Sequence, residues 1–245
     1  MRIVKETAEI DYTETQRFFQ NRAGKFRPEN PYSVTMYQDN NADLVKERNR
    51  REVEKLYPLL RLDEGSRVLD VACGIGRWAD AIEDAIEEYC GVDFSGELIE
   101  IARGRNGKKN YRFYEGAAYE IEEVLERHGC GKYNVILLIG ILMYLNDKDM
   151  ECALEQIGKV CQEHTTICIR EPVGICERLT LKDFYSEELD DKYNAIYRTR
   201  EEMSKIFSDT LLKNGFQIQE EGFVFEEANL NNRKETAQYY YILER

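Results

Sequence analysis

The 245-residue sequence holds two histidines, one tryptophan and four prolines. Both histidines, His128 in "ERHGCGK" and His164 in "QEHTTICI", sit just before strand-like runs rather than after them. Ligands of open α/β sheets bind at the carboxyl ends of strands, so a histidine base is not expected. The seven cysteines, at 73, 90, 130, 152, 161, 168 and 176, include no closely spaced pair. Zinc sites built on such pairs are therefore excluded, and no metal is expected. Their odd number, and the apolar neighbours of Cys152, Cys161 and Cys168, argue for free thiols in a reducing, cytoplasmic setting. No apolar run is long: "VILLIGILMYL" at 135–145 is too short to cross a bilayer. The opening "MRIVKETAEIDYTETQ" lacks the order of a secretory leader. Net positive charge is absent: 47 acids outweigh 34 lysines and arginines, a formal net charge of −13. A polyanion would be repelled at long range. The basic clusters "KERNRREVEK" and "RGRNGKKN" are short and interrupted, and read as solvated faces. Neither a nucleic acid nor a membrane is an expected partner; a small molecule is.

What is present describes an α/β domain. Hydrophobic residues make up 42% and aromatics 11%, enough for a substantial core. "RVLDVA" (67–72), "CGVDF" (90–94), "YRFYEG" (111–116), "YNVILLIG" (133–140) and "TTICIREP" (165–172) read as strands, the last stopped by Pro172. Helical spacing separates them. Trp78, Ile82, Ala85, Ile86 and Tyr89 form one face; "GELIEIAR" follows a Ser95 cap; a helix spans 118–127; Met150, Ala153, Leu154, Ile157, Val160 and Cys161 form another stripe. Thr199 and Glu202 have capping-box spacing before Met203, Ile206, Phe207 and Leu211. "FQIQEEGFVF" and "TAQYYYILER" close the chain as successive strands with no helix between them, hence antiparallel. The expected fold is a doubly wound, mostly parallel seven-stranded sheet with a C-terminal antiparallel hairpin. Residues 1–61 form an N-terminal helical addition, with a helix over 42–60 striped by Val45, Val53, Leu56 and Leu60. Residues 62–245 form the main domain, which contains an aperiodic insert at about 172–198.

The chemistry centres on "ACGIG" at the end of the first strand. Gly74 and Gly76 remove side chains where a ligand would touch backbone, and the next helix offers free N–H groups. Asp93, ending the second strand, is placed to accept both hydroxyls of a ribose. The pair describes a nucleoside site. "GIGRWA" also reads as the G-x-G-x-x-A of a nicotinamide dinucleotide enzyme. Asp70 opposes that choice, since a carboxylate before the turn repels a pyrophosphate and attracts a cationic cofactor.

"VLDVACGIGRWA", "GVDFSGELIEIA", "YEGAA", "YNVILLIGILMYLND" and "GFQI…YYYILE", in that order, resemble the class I S-adenosylmethionine-dependent methyltransferases from about residue 62 to 245. The resemblance implies S-adenosyl-L-methionine as cofactor and S-adenosyl-L-homocysteine as product. It places Asp70 near the methionine amino group, and the backbone of Ala72, Gly74 and Gly76 against the methionyl and ribose portions. Asp93 would hold the ribose diol, Phe94 would pack on adenine, and Gly140 would floor the cofactor. Two positions depart from the pattern. Ala72 replaces the usual first glycine, at an expected small cost, and Ala117 stands where an acid often meets adenine. A non-catalytic relative of this fold is the other alternative, although the retained Asp93 and glycines speak for cofactor binding.

Methyl transfer from a sulfonium needs alignment and exclusion of water, plus a base where the acceptor is an unactivated oxygen. Tyr144 and Glu171, after the fourth strand and ending the fifth, are the candidate catalytic groups. Tyr193, Tyr197 and Arg198 in the insert are candidate acceptor contacts. "PYSVTMYQD" is a candidate lid, with the ring of Tyr37 beside the sulfonium. The expected activity is methylation of an oxygen or nitrogen of a small molecule, with a sugar or glycan unit suited to so many tyrosines and carboxylates.

Overall fold

A computed structural model describes residues 1–245, the side chain of Ala228 excepted. Its central sheet has the order β4-β3-β2-β5-β6-β10-β9. The strands are β2 (Arg67–Val71), β3 (Glu88–Asp93), β4 (Tyr111–Glu115), β5 (Tyr133–Ile139), β6 (Cys161–Gly174), β9 (Gln217–Phe223) and β10 (Thr236–Glu244). The first five are parallel, and β10 runs antiparallel to both its neighbours. β2 leads outward through β3 to β4 on one side, while β5 and β6 extend the other. The order therefore reverses between β2 and β5, and the crevice at their carboxyl ends is the expected ligand site.

Helices cover both faces. On one lie α6 (Ile121–Arg127), α7 (Asp147–Val160) and α8 (Arg200–Asp209), burying among others Leu154, Ile157 and Phe207 against β5 and β6. On the other, Leu56 of α3 (Ala42–Leu56) and Trp78 of α4 (Arg77–Ala81) pack with Ile99 of α5 (Gly96–Arg105). Among the described residues no helix is long and apolar enough to cross a membrane.

Three local expectations are overturned. The helix expected from Trp78 to Tyr89 stops at Ala81, and Tyr89 belongs to β3. The hydroxyl of Tyr57 accepts from the amides of Glu83 and Asp84, which a longer helix would have used within itself. Pro172 does not stop the fifth strand: β6 continues to Gly174, with Pro172 opposite Gln238. The Gln238 N–H donates to Asn231 and its carbonyl accepts from Val224, so a residue without an N–H is tolerated there. The insert is not aperiodic loop. β7 (Leu179–Ser186) and β8 (Asp191–Tyr197) form an antiparallel hairpin, and β1 (Arg2–Val4) adds to it as a third strand. Asp183 at φ +47° shifts the register, and β8 is buried at five consecutive positions from Tyr193 to Tyr197, which erases alternation. The N-terminal addition is thus partly strand.

This small sheet, with α1 (Tyr12–Gly24) and α2 (Ser33–Met36), builds a third core cluster over the sheet's carboxyl edge. Phe18, Val34, Ile75, Leu98, Tyr144 and Tyr197 meet there. Ile75 comes from the β2–α4 turn, so the cap is packed onto the crevice.

Candidate functional site

The β2–α4 turn holds three left-handed residues, Ala72 (φ +63°), Gly74 (φ +55°) and Gly76 (φ +77°). For Ala72 this corrects the expectation of little cost: a side chain in that region loses about 1–2 kcal/mol. The turn is held by the amides of Ala72 and Cys73, which both donate to the Val92 carbonyl at 2.7 and 3.0 Å. A Cβ on Gly74 would lie 2.9 Å from the Thr35 methyl of α2, and one on Gly76 2.7 Å from Asn106. The segment containing Thr35 therefore lies directly on the turn.

Two buried acids flank it. Asp93 accepts from the Gly74 amide through one oxygen and from the Ser95 amide through the other, each at 2.9 Å. A carboxylate has about four acceptor positions, so roughly two remain. Burial pushes its pKa up to about 6 despite those amides. Asp70 accepts from the Tyr89 hydroxyl at 2.5 Å. Burial outweighs Tyr89 and the Arg77 guanidinium and pushes it up to about 7. Beside them, Gly116 donates to the Asp93 carbonyl at 2.9 Å, which brings Ala117 to the same edge. Phe94 meets Phe19 of α1 edge to face at 5.4 Å.

Beyond β5, Gly140 (φ +76°) would place a Cβ 3.0 Å from Arg170, so only glycine leaves that guanidinium its position. The following turn is gripped from both ends. Glu171 accepts from the amides of Ile141, Leu142 and Met143 at 2.7, 2.7 and 3.2 Å. Arg198 donates to the carbonyls of Leu142 and Leu145 at 2.8 and 2.7 Å and pairs with Asp147 at 2.6 Å. Neither side chain faces the crevice. The geometry moves Glu171 from catalytic candidate, and Arg198 from acceptor contact, to supports of this turn. Burial drives Glu171 up to about 7 against its three amides.

The turn presents Tyr144, whose hydroxyl donates to that of Tyr37 at 2.7 Å. Burial raises both phenols well above the ordinary value, so neither is a ready base. Phe18 links Tyr37 and Tyr193, with ring centres at 6.0 and 5.8 Å, and Phe19 meets Tyr144 at 5.1 Å. A cleft of about 970 Å³, counting its open mouth, is lined here by Tyr37, Gly140, Tyr144, Tyr193, Tyr197 and Arg233. Arg48 and Arg170 also line it. Neither histidine does; His128 stacks on Tyr114 at 3.9 Å, away from the cleft. Among the described residues no cluster of His, Cys, Asp or Glu is placed to hold a metal ion.

Sequence reasoning missed Phe18, Phe19, Thr35 and the three arginines. Arg48 carried a signal: Val45, Arg48, Glu52 and Leu56 recur at steps of three and four, so the arginine and glutamate lie on the buried stripe of α3.

Comparison with known proteins places this arrangement. Residues 62–244 match the family model described as a methyltransferase domain. A 23S rRNA (uracil(1939)-C(5))-methyltransferase of Alkalilimnicola ehrlichii is 34% identical over 93 residues. That match spans 37% of this chain and only 21% of the relative's length. Among solved structures, the magnesium protoporphyrin IX methyltransferase of Synechocystis, with bound S-adenosylmethionine, is 14% identical. It superposes with a TM-score of 0.62 over 98% of this chain and 100% of that one. The plantazolicin methyltransferase BamL, in complex with S-adenosylhomocysteine and a triazolic desmethyl analogue, is 17% identical with a TM-score of 0.57, covering 97% and 99%. The chain belongs to the methyltransferase-domain family, and its fold is that of the S-adenosylmethionine-dependent class I methyltransferases.

Proposed function

We propose that this protein transfers a methyl group from S-adenosylmethionine to an oxygen or nitrogen of a small molecule held in the cleft between Tyr37, Tyr144 and Tyr193. The observation that carries the reading is Asp93. It is buried at the end of β3, tied to the glycine turn by one bond and to the next helix by another, with acceptor capacity to spare for a diol. The residues fit the cofactor: Gly74 and Gly76 carry no side chain of their own, and the side chains of Thr35 and Asn106 stand against them. Asp70 supplies a carboxylate toward an ammonium, and Phe94 an aromatic face toward adenine. When bound, the cofactor supplies an electrophilic methyl activated by its own sulfonium charge.

The chain's own work is then placement. Tyr37 and Tyr144, locked hydroxyl to hydroxyl, fix the inner wall; Phe18 and Phe19 exclude water behind them. Of the carboxylates lining the cleft, Glu52 is enclosed by Arg77 and Arg170, which leaves Glu188 at the rim. An acceptor that reacts as a neutral amine, or as an oxygen already acidic, suits such a wall. Tyrosine hydroxyls with Asn232 and Gln238 along the cleft support a hydroxyl-bearing ring such as a sugar unit.

The test is thermal unfolding with S-adenosylhomocysteine. At a hundred times its dissociation constant the ligand adds about 2.7 kcal/mol, or roughly 5–11 °C for a chain of this size. Asp93→Ala should weaken binding by about 2–4 kcal/mol, as for loss of charge-assisted hydrogen bonds. A shift with NAD alone, or full affinity in Asp93→Ala, contradicts the assignment.

A further inference from the structure

We propose that the methyl acceptor is an anion, and that a carboxylate or phosphate group on it is held by Arg48, Arg170 and Arg233. The proposal rests on the methyltransferase reading and names the chemistry of its second substrate.

The three guanidiniums reach the cleft from separate elements: Arg48 from α3, Arg170 from β6 and Arg233 from the segment before β10. Arg48 is 4% exposed, yet among the described residues no carboxylate pairs with it. Its Nε donates to the Leu230 carbonyl at 2.8 Å, and its buried Nη1 has no hydrogen-bond partner among the described residues. Burial lowers its pKa, opposed only by Glu188. A buried charged donor without an acceptor is costly, and a ligand's anionic group lying in the cleft would complete it. Arg233 has no ion-pair partner among the described residues either. It donates to the Tyr193 hydroxyl and lies over the rings of Phe184 and Tyr193 at 5.0 and 5.8 Å. Arg170 shares Glu52 with Arg77: Glu52 lies 2.8 Å from Arg170 and 2.5 Å from Arg77. One buried carboxylate thus serves two guanidiniums, and positive charge remains on the wall of a protein whose net charge is −13.

The cofactor does not account for this surplus. Its tail presents one carboxylate beside its own ammonium, and with the sulfonium it is a net cation. Arg233 stands with Tyr193 and Tyr197, in the part of the cleft built by the insert. Planar, forked donors on several sides suit a carboxylate or phosphate rather than a neutral hydroxyl.

The experiment uses the full chain saturated with S-adenosylhomocysteine, probed with inorganic phosphate, with 4-hydroxybenzoate and with the neutral 4-hydroxybenzamide. The melting temperature should rise with the two anions and not with the amide. Arg48→Gln and Arg233→Gln should each weaken anion binding about tenfold or more, the scale of one charge-assisted bond, while S-adenosylhomocysteine affinity holds. Arg48→Lys should restore part of the anion response, and the ligand-free melting temperature of each variant reports folding separately. Two results overturn the proposal. One is a loaded wild type that ignores both anions. The other is a pair of glutamine variants that lose S-adenosylhomocysteine affinity with the anion response intact, which assigns the arginines to the cofactor carboxylate. Failure of wild type to bind S-adenosylhomocysteine at all would instead overturn the methyltransferase reading.

Discussion

Asp70 and Asp93 bring charge into the crevice at a cost that depends on pH. Burial raises Asp70 to about 7, Asp93 to about 6 and Glu171 to about 7. Unfolded carboxyls titrate near 4, so between about pH 4 and 7 the native state binds more protons than the unfolded chain. Stability therefore falls as pH rises through that window and levels off above it. Glu52 and Asp147, whose pKa values are lowered, contribute the opposite slope only below about pH 4. Melting temperatures from pH 4.5 to 8 should show the decline, and Asp70→Asn should flatten part of it. A melting temperature that climbs over this range contradicts the burial of these acids. At this scale the sequence was informative where a residue has one plausible neighbour. The turn, Asp70 and Asp93 are joined by a strand end and a tight loop, and the structure brings them together as expected. Glu171 and Arg198 are less legible because they bind mainly main-chain atoms, which every sequence contains and none advertises, and the one side-chain partner, Asp147 on Arg198, lies 51 residues away.

The segment between β5 and α7 is a single 3-10 turn, Leu142–Tyr144, held at both ends by side chains. Its leading amides donate to Glu171 and the carbonyls of Leu142 and Leu145 accept from Arg198, so two side chains supplement the one turn of its own backbone bonds. Glu171→Ala leaves three donors without their acceptor and should cost about 3 kcal/mol. That is roughly 6–12 °C in melting temperature. If its role is to place Tyr144, kcat should fall further than cofactor affinity, and Glu171→Gln should recover part of both losses. Equal losses would mean general damage to the fold. Among elements, the inner parallel strands β2, β3 and β5 are legible because both their faces are buried, and α7 and α8 because one face is. The hairpin β7–β8 is not: a left-handed Asp183 breaks its register, and β8 is covered on both sides. In α3 a polar pair interrupts the stripe, and charged residues were taken for surface.

Across the whole molecule, one segment serves both halves of the crevice. Thr35 lies on the cofactor turn, while Tyr37, two residues on, forms the cleft wall with Tyr144. Arg22 fastens that segment through the carbonyls of Ser33 and Val34 and through Asp39. On the methyltransferase reading proposed above, a cofactor laid along the turn has to displace Thr35, whereas the acceptor cleft needs Tyr37 in place. Cofactor should therefore bind before acceptor. Product inhibition should show S-adenosylhomocysteine competitive with S-adenosylmethionine and not with the acceptor, and isothermal titration should find acceptor binding only after S-adenosylhomocysteine is added. Tight acceptor binding to the cofactor-free chain contradicts that order. The pairing of β1 with β7 carries a consequence for how the protein is made. Arg2 finds Leu181 only after the residues between them have been synthesised. At about 5–20 residues per second, that is a wait of roughly 9–35 s. During synthesis, β1 spends that interval with its backbone groups unmatched, and the small sheet over the crevice waits on the arrival of β7 and β8.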